Sequence, residues 1–432
     1  METVIDNTTF KKYPVYKDSG VEWIEDVPSH WEVKKFKRVF YEIKKRSNPE
    51  LNCGSISFGK VVYKDDEKIP DSTKRSYQVV EKGDFLVNPL NLNYDLISLR
   101  IALSDIDVVV SSGYIVLSNS VKLDKTFYKY FLHRFDVAFM KLLGSGVRQT
   151  LNWNDIANCD LIFPPLPEQT AIAAFLDRKT ALIDQAIDIK QKQIELLKER
   201  RQLLIHKAVT GGLNPNVKMK DSGVEWIGEI PEGWKVKRLK HLGNSIIGLT
   251  YNPNDLCDME EGTLVLRSSN LFEGKFRYGE KENAYVKSRI PQKLLIKEND
   301  ILICSRNGSR DLIGKCALAT KVDAGHSFGA FTTVFRSNIN PYIFCILNSS
   351  IFKALSGMFL TSTINQLTIG NLNSIEVPIP PINEMDEVKN YVENINLKVD
   401  TAISLKEQEI EKLKEYKATL INSAVTGKIK VS

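Results

Sequence analysis

The sequence predicts an α+β protein in which two similar α/β domains are each followed by a long helix. Two internal repeats support this prediction. Residues 17–37 and 220–240 are identical at 13 of 21 positions, at an offset of 203. Residues 164–211 and 380–427 align without a gap at an offset of 216. Because a solenoid unit spans only roughly 20–50 residues, a repeat of this length indicates two whole domains.

The repeat divides the chain into five predicted segments. These are an N-terminal extension at 1–16, a first domain at 17–163, a helix at 164–213, a second domain at 217–379 and a second helix at 380–432. The offset grows from 203 to 216 between residues 41 and 81, so the second domain carries 13 additional residues there. A common scaffold with different loops is typical of two sites that bind different ligands.

Short β-type runs separated by turn residues predict the strands of each domain. They are FLVNPL, VVVSSG and YIVLSN in the first domain, and TLVLRSSN, DILICSRNG and AFTTVFRSN in the second. Helical patterns lie between them at 127–143 and 341–355.

The long helices are the clearest local prediction, because Glu168 to Val209 contains no proline or glycine. Both helices carry apolar heptad seams, formed by Leu176, Ile183, Ile187, Ile194, Leu197 and Leu204 in the first helix and by Val392, Val399, Ile403, Ile410, Leu413 and Leu420 in the second. Their polar interruptions also match, Lys190 with Lys406 and Arg201 with Lys417, and such residues fix register in coiled coils.

The heptads alone do not choose between parallel and antiparallel pairing. The connectivity favours an antiparallel coiled coil about a pseudo-two-fold axis, since the first helix runs away from its own domain and leads into the second. Two domains separated in this way match the two-fold relation of paired half-sites on duplex DNA.

Composition indicates an ordinary globular protein, with 43% hydrophobic and 26% charged residues. No apolar run approaches the roughly 18–20 residues that span a bilayer, and the N-terminus lacks the apolar core of a signal peptide, so we expect a cytoplasmic location without membrane contact. The six cysteines are scattered, and the five histidines do not cluster with them, so we expect buried, reduced thiols and no metal site.

A net charge of +6 is modest for a protein that binds nucleic acid by itself. Basic residues nevertheless cluster at the start of both domains: Lys34, Lys35, Lys37, Arg38, Lys44, Lys45 and Arg46 in the first, and Lys235, Lys237, Arg238 and Lys240 in the second. A solvated face is one interpretation of such clusters. Their recurrence in both copies favours contact with phosphates, where Lys and Arg displace counterions.

No catalytic motif is present in the sequence. It contains no G-x-x-x-x-G-K-[ST] loop for a nucleotide, and LGSG at 143–146 is too short for a cofactor loop. The Pro-Pro segments at 163–166 and 379–382 lack the Asn and the aromatic residue of an amino-methyltransferase signature. They are better interpreted as rigid connectors into the helices. We therefore expect a chain that is not an enzyme by itself.

The ordered, duplicated set of motifs resembles one known family. Both domains open on G-V-E-W-I-x-x-[VI]-P-x-x-W, end in P-P-[LI]-x-E and lead into a heptad helix that closes on A-V-T-G. From about residue 17 to 430, the chain resembles the specificity subunit of type I restriction–modification systems. One departure is Met385, where the first copy has Gln169.

The resemblance implies that each domain is a target recognition domain reading one half of a split double-stranded DNA sequence. It also implies that the coiled coil sets the spacing and docks two methyltransferase subunits, with restriction and translocase subunits joining them. S-adenosylmethionine, ATP and Mg²⁺ would then belong to the partner subunits, and this chain would hold no cofactor.

Base edges in the major groove are best read by Arg, Lys, Asn and Gln. Loop positions of these types supply the base-reading candidates: Lys74, Arg75, Asn88, Asn91, Asn93, Arg148 and Gln149 in the first domain, and Arg267, Asn270, Arg306, Asn307, Arg310, Asn365 and Gln366 in the second. Positions that differ between the copies are the stronger candidates, since a shared residue such as Asn91 and Asn307 suits a structural role.

Two other interpretations stay open at this point. The modest charge is also compatible with a coiled-coil scaffold that carries two protein-binding domains and has no DNA role. The repeated tryptophans, Trp23, Trp31, Trp226 and Trp234, are expected to be packing anchors, and the alternative is a surface for the methyltransferase.

Overall fold

A computed structural model of the chain describes residues 10–431, apart from 66, 68, 92–98, 141–148, 350, 351, 353, 354 and 357–365. The chain forms two compact units. Unit 1 comprises residues 1–190 and 407–432, and unit 2 comprises residues 191–406. Each unit therefore contains one α/β domain, the beginning of the helix that follows it and the end of the other long helix.

Short strands and helices build the domain of unit 1. Its strands are β1 Tyr16–Asp18, β2 Asp26–Pro28, β3 Glu32–Lys35, β4 Phe40–Glu42, β5 Gly54–Ser57, β6 Lys60–Tyr63, β7 Gln78–Val80, β8 Phe85–Val87, β9 Leu90–Asn91, β10 Ile101–Leu103, β11 Val108–Val110, β12 Ile115–Asn119, β13 Gln149–Thr150 and β14 Asp160–Phe163. Its helices are α1 Phe36–Val39, α2 Asp71–Lys74, α3 Lys125–Ala138 and α4 Trp153–Ala157, and the long helix α5 Leu166–Gly211 follows.

The domain of unit 2 has the same general composition. Its strands are β15 Met219–Asp221, β16 Glu229–Pro231, β17 Lys235–Arg238, β18 Asn244–Ile247, β19 Leu256–Cys257, β20 Thr263–Leu266, β21 Leu271–Phe272, β22 Lys275–Phe276, β23 Tyr285–Val286, β24 Ile301–Cys304, β25 Cys316–Leu318, β26 Ser327–Phe328, β27 Thr332–Arg336 and β28 Glu376–Ile379. Its helices are α6 Asn340–Leu347 and α7 Ile369–Ser374, and the second long helix, α8 Ile382–Val425, follows.

The two domains share one sheet topology. In unit 1 the central antiparallel sheet has the order β4-β12-β8-β10, and in unit 2 the matching sheet has the order β18-β27-β24-β25. Each of the six runs that predicted a strand contains one. The units differ where the sequence offset grows. Unit 1 has the hairpin β5–β6 there, whereas unit 2 has strands of a second sheet, β19-β23-β20-β26.

The long helices pair antiparallel within each unit. In unit 1, Asp184 of α5 bonds Lys417 of α8 at 2.6 Å, and Lys190 of α5 bonds Glu409 of α8. Residue numbers therefore rise along α5 while those of the bonded residues of α8 fall. In unit 2, Arg201 of α5 bonds Asp400 of α8 at 2.7 Å. The Arg201–Asp400 and Lys417–Asp184 pairs are equivalent in the repeat, and with Lys190 three of the four polar interruptions form ion pairs between the helices. Every heptad residue named above is buried or half-buried.

A buried tryptophan marks the start of each long helix. Trp31 and Trp234 are 0% and 1% exposed, which confirms the predicted packing role for these two. Trp31 donates its indole N–H to Glu168 at 3.1 Å, and Trp234 donates to Glu384 at 2.8 Å. Each carboxylate lies in the first turn of its helix, where the positive end of the helix dipole favours it.

The same tryptophans also receive the end of the other helix. Gly427 and Gly212 both have φ of +72°, the left-handed conformation that favours glycine after a helix. A Cβ at Gly427 would lie 2.4 Å from Cδ of Pro28 and 2.9 Å from the Trp31 ring, and a Cβ at Gly212 would lie 3.2 Å from the Trp234 ring. Each joint therefore unites the Trp segment, the P-P-x-x-E helix start and a glycine at the end of the other helix, which is the last residue of A-V-T-G in unit 1 (Gly427) and the residue after that motif in unit 2 (Gly212). We call these assemblies the Trp–Glu–Gly joints.

The one departure between the copies has a packing explanation. Gln169 is fully buried and bridges two backbone groups, accepting from the Asp124 amide at 2.9 Å and donating to the Pro164 carbonyl at 2.8 Å. Met385 instead belongs to the apolar core of unit 2. Both side chains fill the space beneath the first turn of a long helix.

Segments from the first and last parts of the described chain pair inside unit 1. Lys11 and Lys430 form an antiparallel bridge, and the Tyr16 hydroxyl donates to the Gly427 carbonyl at 3.1 Å. None of the six cysteines, which all lie among the described residues, forms a disulfide; four are buried as predicted, but Cys159 and Cys257 are only half-buried. Over the described ranges, no helix combines the length and the apolar character needed to cross a membrane.

The Glu168 carboxylate is the most connected group of the unit 1 joint. It accepts hydrogen bonds from the Trp31 indole and the Tyr13 hydroxyl, and Nε2 of His30 lies 2.6 Å from its other oxygen. Burial acts to raise the pKa of Glu168, but these hydrogen bonds outweigh burial and hold that pKa below its ordinary value. The ionised form therefore stabilises unit 1.

We predict that Glu168→Gln lowers the stability of unit 1 by about 1–3 kcal/mol at neutral pH, because charge-assisted hydrogen bonds are lost. Thermal unfolding and amide exchange of residues 13–31 measure this. Since the folded pKa is lowered, the contribution is present above the ordinary carboxyl pKa and is lost as pH falls through the lowered value, so variant and parent converge in acid. Glu195→Gln, at an exposed position of α5, is the control, and an equal loss there would contradict the prediction.

Candidate nucleic-acid interface

The basic cluster of unit 1 is partly engaged inside the unit. Its members lie on β3, on α1 and after β4. Several side chains bond neighbouring residues: Lys34 bonds Glu32 and lies over the Phe163 ring, Lys35 bonds Asp160, Lys37 bonds Asn158, Lys45 bonds the Ser112 carbonyl and Arg46 bonds Glu81. Arg38 and Lys44 are exposed and have no ion-pair partner among the described residues. Exposed ion pairs contribute little, about 0–1 kcal/mol, so the paired lysines can still exchange a carboxylate for a phosphate.

The cluster of unit 2 is less neutralised. Arg238 bonds Glu376 at 3.1 Å, whereas Lys235, Lys237 and Lys240 are exposed and have no acidic partner in the described part of the chain. The strand β17 that carries the first three basic residues pairs with β28, just as β3 pairs with β14 in unit 1. The recurring cluster therefore occupies one equivalent place in both domains, beside the strand that leads into the long helix.

The base-reading candidates of unit 1 are spread over several loops. Lys74 ends α2, and the exposed Arg75 follows it. The Asn88 side chain accepts from the Leu90 amide at 3.0 Å and so shapes a turn. Asn91 and Gln149 are paired residues of β9 and β13. Asn93 and Arg148 lie outside the described residues.

For one candidate of unit 2, the predicted base contact is wrong. Asn270 is fully buried, and its amide bonds the backbone N–H of Arg267 and the carbonyl of Arg277, so it cannot reach a base. Its neighbour Arg267 donates to the Glu282 carbonyl at 2.9 Å. Asn307 bonds the Ser268 hydroxyl at 3.0 Å and the Ser309 amide at 2.9 Å, which indicates a structural role.

Two of the remaining candidates of unit 2, both arginines, are exposed. Arg310 is exposed at the start of a short 3-10 turn, and Arg306 is exposed with its guanidinium 5.3 Å from the centroid of the Phe331 ring. Gln366 faces Arg306 in an isolated antiparallel bridge. Asn365 lies outside the described residues. The exposed arginines, rather than the asparagines, are thus the candidates that the structure leaves accessible for base contact.

A crevice of about 590 Å³ in unit 2 adds residues that were missed in the sequence. It is lined by residues of the loops after β18, β20 and β22 and before β27, which bring Tyr251, Lys281 and Phe331 next to the candidate Arg267. Phe331 is 59% exposed and, with Tyr251, gives the wall of the crevice an aromatic surface. The sequence offers one sign of this site, because the loop sequences in this part of the repeat differ between the two copies. Nothing in the sequence shows that these loops lie close together in space.

The site offers hydrogen-bond donors, positive charge and aromatic surface. Within the described ranges, no three His, Cys, Asp or Glu side chains are grouped as a metal site requires. Arginine and lysine side chains next to exposed aromatic rings suit the phosphates and base edges of a nucleic acid.

Comparison with known proteins agrees with this chemistry. Residues 28–199 and 231–415 match the family described as "Type I restriction modification DNA specificity domain". Two similar relatives come from Methanocaldococcus jannaschii. One is the putative type I restriction enzyme MjaX specificity subunit, 25% identical over 96% of this chain and 98% of the relative. The other is the MjaVIII specificity subunit, 24% identical over 94% of each.

Two solved structures share the fold. One, from a study of complex assembly and conformational transition of the type I R-M system, has a TM-score of 0.69 and 16% identity and covers 92% of this chain and 98% of that one. The other is the HsdS subunit from Thermoanaerobacter tengcongensis, with a TM-score of 0.51, 15% identity and coverage of 93% and 98%. Because the family match covers most of the chain, in two regions that fall on the two repeats, the chain belongs to the type I restriction modification DNA specificity domain family and is a DNA-sequence recognition subunit of a type I restriction–modification system.

Proposed function

We propose that each globular domain reads one half of a bipartite DNA target and that the helix pair fixes the distance between the halves. The observation that carries this proposal is the contrast inside the repeat. The units share their central sheet order and their Trp–Glu–Gly joints, but they differ in the strands and loops that surround the accessible polar residues. A shared scaffold that carries a different surface in each unit is suited to binding two different half-sites.

The basic clusters supply the non-specific part of binding. They lie at equivalent places of the two domains, and each contains exposed lysines or arginines without an acidic partner among the described residues. Phosphate contacts of this kind position a protein on the duplex, whereas base contacts specify the sequence.

The outer faces of the helices suit partner subunits. Helix α5 exposes an apolar side chain at every seventh residue, Leu182 and Ile189 in unit 1 and Leu196 and Leu203 in unit 2, with exposures of 44%, 49%, 62% and 63%. Apolar residues at heptad spacing pack against another helix. We propose that two methyltransferase subunits dock on the long helices and that restriction and translocase subunits join them. In this proposal, S-adenosylmethionine, ATP and Mg²⁺ act in those partners, and this chain contributes recognition without catalysis.

Exchange of one domain tests the bipartite proposal. Replacing residues 17–163 with the corresponding segment of another family member should change one half of the methylated motif and leave the other half and the gap unchanged. The measurement is long-read methylation mapping in a host that expresses the chain with its methyltransferase. A change in both halves, or in neither, would contradict the proposal.

Insertion into the helices tests their role as a spacer. Four residues added after Lys190 and four after the equivalent Lys406 lengthen each helix by about 6 Å, so the mapped gap should grow by roughly one to two base pairs. Both halves of the motif should stay as they were. Four alanines added after Asn216, in the exposed turn between α5 and β15, provide the matched control and should leave the gap unchanged. An unchanged gap in the helix variant counts against the spacer role.

The salt dependence of binding separates this function from that of a protein-binding scaffold. Binding of labelled duplex by the assembled complex should weaken steeply with salt, and Lys44→Gln should reduce the slope of log K against log salt by about one for every sequence. Lys192→Gln, on an exposed face of α5, is the control and should leave the slope unchanged. A scaffold without a DNA role would show no such binding.

A further inference from the structure

One structural position is shared by the two domains but holds different residues. In unit 1, β9 pairs with β13, so that Leu90 faces Thr150. In unit 2, Arg306 faces Gln366 in an isolated bridge. Leu90 and Arg306 are related by the repeat offset of 216, and so are Thr150 and Gln366. The two pairings also follow equivalent strands of the shared sheet, β8 in unit 1 and β24 in unit 2. The backbone pairing is therefore retained, while a leucine stands where the other copy has an arginine.

The surroundings of Arg306 hold its guanidinium without neutralising it. The guanidinium lies over the ring of Phe331, and the Arg306 backbone amide donates to the Phe331 carbonyl at 3.0 Å. The Arg306 side chain is exposed, and no carboxylate of the described residues forms an ion pair with it. An arginine stacked on an aromatic ring is pre-oriented, and its planar fork of N–H donors stays available to a ligand.

The adjacent crevice has the same chemical character. Phe331 forms part of its wall together with Tyr251, Arg267 and the exposed Lys281. Arg267 is held by its bond to the Glu282 carbonyl, whereas Lys281 is free to approach a phosphate. Arg306 therefore projects from a surface that combines positive charge with two aromatic rings.

We propose that position 306 is a base-reading position of unit 2, where Arg306 bonds O6 and N7 of a guanine and Phe331 acts as its positioning residue. Arginine makes this bidentate contact because its two N–H groups match the two acceptors on the major-groove edge of guanine. At the equivalent place of unit 1, Leu90 is 45% exposed and has no side-chain donor, so that side chain contacts a thymine methyl group instead. This inference rests on the proposed function and assigns one residue to one base.

Methylation mapping of the complex tests the assignment with substitutions at one position. Arg306→Leu introduces the residue type found at position 90, and it should abolish the preference for guanine at a single position in the half read by unit 2, a loss of roughly 10- to 100-fold. Arg306→Lys keeps the charge but not the planar fork, so it should weaken the guanine preference less than Arg306→Leu does and retain most of the affinity. Phe331→Leu should weaken the preference at the same position and create no new one.

Controls distinguish this result from a general loss of function. Arg289→Leu removes an exposed arginine of unit 2 that does not line the crevice and should leave the motif unchanged. The other half of the motif and the gap should be identical in all four variants. An unchanged guanine preference in both Arg306 variants would overturn the assignment, as would altered preferences at several positions of both halves. Failure of the unsubstituted complex to methylate any split motif would overturn the proposed function instead, and it would be evident before any substitution was made.

Discussion

The hydrogen bond from a buried tryptophan to the first-turn carboxylate of a long helix is the contact on which the rest of each unit depends. In unit 1, Trp31 bonds Glu168 and also receives Gly427 at the end of the other helix. Three separate parts of the chain therefore meet at one indole ring. This contact fixes where α5 begins, where α8 ends and how the opening segment covers the core. Since unit 2 has the same joint, the two domains are attached to their helices in the same way.

The antiparallel direction of the helices follows from this arrangement and from their ion pairs. The end of one helix can reach the tryptophan beside the start of the other only if the two run in opposite directions within a unit. Lys190, Arg201 and Lys417 each bond an acidic residue of the opposite helix, so the polar interruptions of the apolar seams select one register. A shift of one heptad would separate Lys190 from Glu409 and place its largely buried ammonium opposite Ala402 or Tyr416, which is costly. The register is thereby determined even where the apolar residues alone would tolerate a slip.

A fixed frame leaves the loops free to differ. The central sheet keeps its strand order in both units, yet unit 2 replaces a hairpin with strands of a second sheet and carries an exposed arginine where unit 1 has a leucine. Loops outside a sheet can change because few core contacts depend on them. The core residues, the joints and the helix seams carry the stability, and the accessible side chains at the sheet margins are the ones that we propose for recognition.

The repeat, the heptad seams, the six strand-containing runs and the ends of the long helices could be predicted from the sequence, because they depend on local periodicity and on proline and glycine near the helix termini. The family resemblance also came from those motifs. The tertiary structure was needed to show that the three repeated motifs form one joint, because they come from distant parts of the chain. The tertiary structure also distinguishes Asn270 from Arg306. Asn270 is buried and its side-chain amide bonds backbone groups, whereas Arg306 is exposed and lies over Phe331. Both are polar loop residues in the sequence, and only long-range packing determines which of them solvent, and hence DNA, can reach.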